Sequence, residues 1–168
     1  MALDRQPTLR SSLVVVRPMV ADDLDGLSSL ASDPLVWEQH PSKERSAPSA
    51  FAVYFEEGLA SGGALTLVDA LSGEVFGMTR YGLVDELLDE VEIGWTFIAR
   101  DRWGGPWNAE VKRLMLAHAF ESVGCVVFRV HSDNLRSQRA VEKLGAVRSG
   151  VEEDALGRGT NVVFRLRP

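Results

Sequence analysis

The chain has one cysteine, Cys125, and only two tyrosines and three histidines. A single cysteine excludes an internal disulfide framework and suits a reducing compartment. Cys125 lies in an apolar run, where a thiol packs as a small inert hydrophobe rather than acting as a nucleophile. No apolar run approaches the ~20 residues that cross a bilayer. The opening Met1-Ala-Leu-Asp-Arg-Gln-Pro7 has no signal-peptide core. These absences point to a cytoplasmic protein with no membrane partner. Positive charge is also scarce: 18 lysines and arginines face 24 acidic residues, a net charge of −6. A nucleic-acid binder wants a basic surface, so no nucleic-acid partner is expected. The chain has neither a Gly-Lys-Ser/Thr phosphate loop nor a full Gly-x-Gly-x-x-Gly, which leaves a nucleotide binder as the weakest reading. No metal is expected. No internal repeat or linker divides the chain, so residues 1–168 read as one domain with 1–8 as a loose tail.

What is present suits a globular domain. Hydrophobic residues make up 45% and charged residues 25% of the 168, enough to bury a real core. Leu13-Val-Val-Val16 reads as a strand by β-branched content, and Pro18 breaks it. Asp22 or Asp23 can cap a helix over 24–30. Residues 35–47 read as a polar loop. Phe51, Tyr54 and Phe55 mark a second helix over 49–60. Strands follow at 64–68, 75–81 and 91–98. Val111, Leu114, Met115 and His118 then share one helical face, with His118 as a packed or capping residue. Cys125–Val130 is a strand, 134–144 a capped helix ended by Gly145, and 146–151 and 161–166 the final strands. The order β-α-α-β-β-β-α-β-α-β-β specifies an α/β (α+β) mixed sheet with helices on its faces.

One stretch organises the rest: Ala99-Arg-Asp-Arg-Trp-Gly-Gly-Pro-Trp-Asn-Ala-Glu110. It joins a strand to a helix through a glycine turn. Such a turn aims several backbone N–H groups at one anion, usually phosphate, and the helix dipole adds to the attraction. Pro106 suits the first turn of a helix, where N–H groups have no intrahelical partner. The bland alternative is an ordinary turn. Charge is distributed unevenly around it. Asp85, Glu86, Asp89, Glu90 and Glu92 precede the turn, while Arg100, Arg102, Lys112, Arg113, Arg136, Arg139, Lys143 and Arg148 lie at and after it. An anionic ligand held by the second half and a cationic one near the first would fit this split, as would two solvated surfaces.

Trp103-Gly-Gly-Pro-Trp-Asn-Ala-Glu110 and His131-Ser-Asp-Asn-Leu-Arg-Ser-Gln-Arg-Ala-Val-Glu-Lys-Leu-Gly145, in that order, resemble the GNAT superfamily of acetyl-CoA-dependent N-acetyltransferases. The pattern is most similar to the RimJ/RimL-like branch, the ribosomal-protein N-terminal acetyltransferases. The opening Leu13-Val-Val-Val-Arg-Pro-Met-Val-Ala-Asp-Asp-Leu24 adds to the likeness, which therefore spans nearly the whole chain. The resemblance implies a mostly antiparallel sheet of about seven strands with a splayed central pair and about four flanking helices. It implies acetyl-CoA as co-substrate, with pyrophosphate on backbone N–H groups from Trp103 to Ala109, including Gly104, Gly105, Trp107 and Asn108. Phe97, Ile98 and Ala99 would run beside the pantetheine arm, and Arg102 and Arg139 would add charge. By the same analogy Asn134 holds the pantetheine or thioester region, and Ser137 lies near the sulfur.

The family pattern Gln/Arg-x-x-Gly-x-Gly/Ala reads Asp101-x-x-Gly104-x-Pro106 here, and Pro106 cannot donate a hydrogen bond. The tyrosine acid frequent in the family, seven residues after the asparagine, is Val141 here. Ser137 is then the nearest acid.

Amine attack on a thioester needs a neutral amine, a polarised carbonyl and a protonated leaving thiolate. Glu92, in an otherwise apolar strand, is the candidate base, with a solvent-facing glutamate as its bland alternative. His131 is the second candidate, and a turn-forming histidine is its alternative. Backbone N–H near Phe97 or Ile98 would polarise the carbonyl. Trp37, His40 and Tyr54 stand for the acceptor side, with the acidic turn 85–89 as a further wall. That turn suggests a cationic amine; the branch suggests a peptide or protein N-terminus. The partner is thus a small-molecule or peptide amine, and a homodimer stays open. The competing reading is a catalytically silent acyl-CoA-binding or sensing module.

Overall fold

The computed structural model describes residues 2–168. Among them eight strands form one sheet flanked by four helices. In chain order these are β1 (Leu9–Arg10), β2 (Val14–Pro18), α1 (Leu24–Ala31), α2 (Pro48–Ala60), β3 (Ala64–Asp69), β4 (Val75–Asp85) and β5 (Glu90–Ile98). Then follow α3 (Trp107–Ala119), β6 (Cys125–His131), α4 (Leu135–Lys143), β7 (Val147–Glu153) and β8 (Thr160–Leu166). The spatial strand order is β1-β2-β3-β4-β5-β6-β8-β7. All neighbours are antiparallel except β5 and β6. The eighth strand arises because the run 9–18 folds back on itself: β1 pairs with β2, Leu9 opposite Val16.

Period-two burial builds the sheet. Val14 and Val16 are fully buried while Val15 is half-buried. One sheet face packs Val91, Ile93, Val126 and Phe128 against Val111, Met115 and Ala119 of α3 and Val141 of α4. The other packs Met78 and Phe97 against Leu27 of α1 and Phe51 and Phe55 of α2. The buried stripe of α3 is Val111, Lys112, Met115, Leu116 and Ala119, rotated from the expected face. Leu114 is only partly buried, and His118 sits at the rim with Nε2 2.8 Å from the Asp4 carbonyl. Residues 2–8 form no regular element. Leu3 packs on the core and Arg5 donates to the Ser61 carbonyl at 3.2 Å. Residues 35–47 are not a solvated loop. Trp37 is buried and its indole donates to the Ala31 carbonyl at 2.8 Å.

Two irregularities of the central strands open the site. The parallel ladder of β5 and β6 runs Glu90 to Cys125, Val91 to Val126 and Glu92 to Val127, and stops there. Beyond it β5 pairs with β4 and β6 with β8, so the two strands part. In β5, the register against β4 jumps from Gly94 opposite Arg80 to Phe97 opposite Met78. That places one extra residue in β5, and Trp95 takes a positive φ of 51°, costly for a bulky residue. The extra residue flips the alternation. Val91 and Ile93 face α3, whereas Phe97 faces α1 and α2.

Candidate active site

Where β5 and β6 part, a cleft of about 650 Å³ opens. One end is lined by Phe97, Ile98, Arg102, Trp103, Gly104, Gly105, Asn108, Asn134 and Ser137. The other reaches Trp37, His40, Arg45, Tyr54, Arg129, His131 and Arg158. Glu92 lines it near the point where the strands separate. A second hollow of about 890 Å³ shares Glu92, Trp95 and Arg129 with the cleft.

The turn at the first end presents unpaired backbone donors. Gly104 has φ of +71° with open space where a Cβ would be, a conformation that glycine adopts without penalty. Pro106 stands immediately before α3. The N–H groups of Gly104, Gly105, Trp107, Asn108 and Ala109 donate to no acceptor among the described residues; the first bonded amide is Glu110, to the Pro106 carbonyl at 2.9 Å. Orphan donors at a helix start form a phosphate cradle. The side chain of Trp107 turns away, edge-on to Phe76 with Arg102 stacked 4.2 Å above it.

The charged groups expected beside this cradle are mostly spent. Arg102 donates to Asp69 at 2.9 Å and lies 3.5 Å from Glu74. Arg100 pairs with Asp33. Arg139 is exposed on α4 and does not line the cleft, because α4 turns that position to solvent. Ala99, Trp107 and Ala109 also lie off the cleft wall. An arginine left over at this end is Arg136, which the sequence marks only as one of several positive charges after the turn. Its guanidinium stacks 3.8 Å over Trp103 and donates to the Val36 carbonyl. It has no carboxylate partner among the described residues.

At the start of α4, Asn134 accepts from the Ser137 N–H at 3.2 Å, as a helix cap. This bond fixes Asn134 and Ser137 side by side at the wall of the cleft. Lys112 is a further residue whose place the sequence does not reveal. It is buried on α3, and its Nζ donates to Thr96 at 2.7 Å and Thr79 at 3.1 Å. With no carboxylate beside it, burial lowers its pKa to about 7. A lysine inside a helical pattern ordinarily reads as a solvent-facing residue, so the sequence marks Lys112 only as one of several positive charges after the turn and not as buried.

Glu92 is half-buried and accepts from Arg129 at 2.9 Å. Burial raises its pKa above the ordinary carboxylate range, against the opposing pull of Arg129. Arg129 also reaches Glu152, and Arg165 pairs with Glu90 at 3.0 Å. Glu92 therefore belongs to a ladder of guanidinium–carboxylate pairs as well as to the cleft. His131, the second candidate base, is tied at both ring nitrogens. Nε2 lies 2.9 Å from the Arg158 carbonyl, and Nδ1 accepts from the Asp133 N–H at 3.3 Å. These partners place the proton on Nε2 and occupy the Nδ1 lone pair.

The end expected to take the acceptor also differs from expectation. The acidic turn 85–89 contributes nothing to the cleft; Asp85 and Glu86 border the second hollow instead. The segment between α1 and α2 roofs the cleft. Gln39 accepts from the Arg136 N–H at 3.0 Å, and Ser42 bonds Arg158 of the β7–β8 loop. Trp37 and Tyr54 meet edge to face at 6.1 Å, and the Tyr54 hydroxyl donates to the Trp95 carbonyl at 2.8 Å. That bond anchors α2 to the bulge of β5.

This arrangement has known counterparts. A T. thermophilus protein assigned as an acetyltransferase superposes with a TM-score of 0.77 at 29% identity, over 95% of this chain and 88% of its own. A GCN5-related N-acetyltransferase from Brucella melitensis gives 0.84 at 18% identity, over 96% and 79%. Mycobacterium smegmatis RimJ, solved with CoA-disulfide, gives 0.72 at 20% identity, over 96% and 86%. The last two share the fold. The family model described as the acetyltransferase (GNAT) domain matches residues 14–147. With that model spanning most of the sequence, and the parted strands and glycine turn inside the matched span, the chain belongs to the GNAT family of N-acetyltransferases.

Proposed function

We propose that the protein transfers an acetyl group from acetyl-CoA to a primary amine by direct attack within a ternary complex. The observation that carries this is the row of unpartnered N–H groups from Gly104 to Ala109, opening into a cleft that leads between parted strands to Glu92. The pyrophosphate rests on that row, and Arg136 supplies the charge that Arg100 and Arg102 have committed elsewhere. The pantetheine lies along the freed edge of β5 at Phe97–Ala99, as an added strand would. Glu92 takes the proton from the amine as nitrogen bonds the acetyl carbon and the carbon–sulfur bond breaks. The Ser137 hydroxyl passes its proton to the departing thiolate as it takes one from water, and Glu92 returns its proton to solvent. No covalent enzyme intermediate is required.

A silent coenzyme-binding module is the second reading, and the Arg129–Glu92 ion pair favours it. Calorimetry and thermal unfolding with CoA, beside thiol release from acetyl-CoA over an amine and peptide panel, separate the two. Transfer requires both binding and turnover. At a ligand concentration 100 times Kd, binding alone stabilises the fold by about 2.7 kcal/mol. Stabilisation without thiol release on any amine leaves the silent module; absence of CoA binding removes both.

A further inference from the structure

Most cations at the acceptor end of the cleft are paired with carboxylates: Arg129 with Glu92 and Glu152, and Arg158 with Asp154. Arg45 is not. No Asp or Glu lies within ion-pair distance of it among the described residues. The carbon of its guanidinium stands 3.8 Å over the centre of the Tyr54 ring and 5.7 Å from that of Trp37. Stacking of this kind fixes the planar fork in advance. Its Nη1 stands 3.3 Å from Nε2 of His40.

The His40 contact is unusual. Nδ1 of His40 accepts from the Ser42 N–H at 2.9 Å, so the neutral ring carries its proton on Nε2. Burial and the neighbouring Arg45 hold that ring neutral, with a pKa lowered to about 3. Arginine donates only. Two N–H donors therefore converge with no acceptor between them, in a cleft that both residues line. A second arginine reinforces the positive potential from the adjoining hollow. Arg80 stacks 3.6 Å over Trp95, has no carboxylate partner, and its buried Nε has no hydrogen-bond partner among the described residues.

Resting on the transferase reading, we propose that the acceptor is an amine that also carries an anionic group. That group is held between Arg45 and Nε2–H of His40 while the amine faces Glu92. A ligand oxygen there would satisfy both donors and give a desolvated guanidinium its missing counter-charge. The same donors disfavour a polycation such as a polyamine, which would add positive charge beside Arg45 and Arg80.

The test compares matched acceptors by thiol release from acetyl-CoA. L-amino acids are set against their carboxamides, O-phosphoethanolamine against ethanolamine, and spermidine serves as the cationic arm. The anionic member of at least one pair should exceed its neutral partner in kcat/KM by about tenfold or more, the lower range for a hydrogen bond to a charged group. A lead for the phosphate pair identifies a phosphate; a lead for the carboxylates identifies a carboxylate. Arg45→Gln should bring the preferred pair within about twofold, Arg45→Lys should restore part of the preference, and CoA affinity should stay unchanged in both. A lead for spermidine or the amides, or an equal loss on both members of a pair in Arg45→Gln, overturns the proposal. If no amine is turned over, the transferase reading fails on its own. The anion site is then read by calorimetry of N-acetyl-L-phenylalanine against its carboxamide on the CoA-loaded protein. Tighter binding of the carboxylate upholds the site, and equal or absent binding overturns it.

Discussion

Glu92 feels two opposing influences. Its place inside the cleft pushes its pKa up, and the Arg129 guanidinium 2.9 Å away pulls it down, with burial the larger effect. A base with a raised pKa accepts a proton more readily once deprotonated, so the rate should rise with pH through an acid limb above the ordinary carboxylate range. Glu92→Gln should lower kcat/KM by ~10²–10⁴-fold and abolish that limb. Arg129→Gln removes the influence that lowers the Glu92 pKa, so its limb should move to higher pH. Initial-rate profiles of the three proteins check this. Glu92→Gln working at a near-normal rate would confine Glu92 to its ion-pair ladder with Arg129 and Glu152. The second candidate, His131, has both ring nitrogens bonded to backbone.

At the scale of the elements, the turn before α3 is the part most exposed to a single change. At φ of +71° Gly104 occupies a region that costs an L-residue about 1–2 kcal/mol, and a β-branched one more. There is open space for a side chain there, so Gly104→Val should strain the backbone without a packing clash. Relaxing that strain withdraws N–H groups from the cradle. The CoA Kd measured by calorimetry should rise by about tenfold, and an unchanged Kd would mean that the phosphates rest elsewhere.

The same scale shows what could be read from residues alone. Val14 to Val16 and Cys125 to His131 were legible because apolar, β-branched runs bury in a sheet, and α2 because Phe51, Tyr54 and Phe55 recur at helical spacing. The two glycine- and asparagine-bearing motifs pointed to both walls of the cleft. What stayed hidden is non-local. Nothing near Glu92 marks it as the last rung of a parallel ladder, and nothing in Gly94-Trp-Thr96 signals an extra residue that reverses the faces. The buried Trp37 sits in a stretch of loop composition. Several arginines pair with carboxylates far along the chain, Arg100 with Asp33 across 67 positions and Arg165 with Glu90 across 75.

For the molecule as a whole, Lys112 links sequence-distant parts through one buried amine. From α3 it bonds Thr79 of β4 and Thr96 of β5, and those two hydroxyls bond each other at 2.8 Å. It thus ties α3 to the strands β4 and β5. Burial depresses its pKa from 10.5 to about 7. In the unfolded chain Lys112 regains its ordinary pKa and holds its proton up to about pH 10.4. Between those values the unfolded state binds the extra proton, so folding stability should increase with pH. The limiting slope for one group is about 1.4 kcal/mol per pH unit, and it vanishes below the folded pKa where both states are charged. Other groups titrate in the same range. Burial raises the thiol of Cys125 and the phenol of Tyr81, and these act in the opposite sense at high pH. The diagnostic quantity is therefore the difference in unfolding free energy between the wild type and Lys112→Met. Denaturant titrations at pH 7, 8 and 9 should show that difference shifting steadily in favour of the wild type as pH rises. Parallel pH dependences in the two proteins would mean that the amine keeps its charge in the fold, and that the two threonines alone solvate an ammonium.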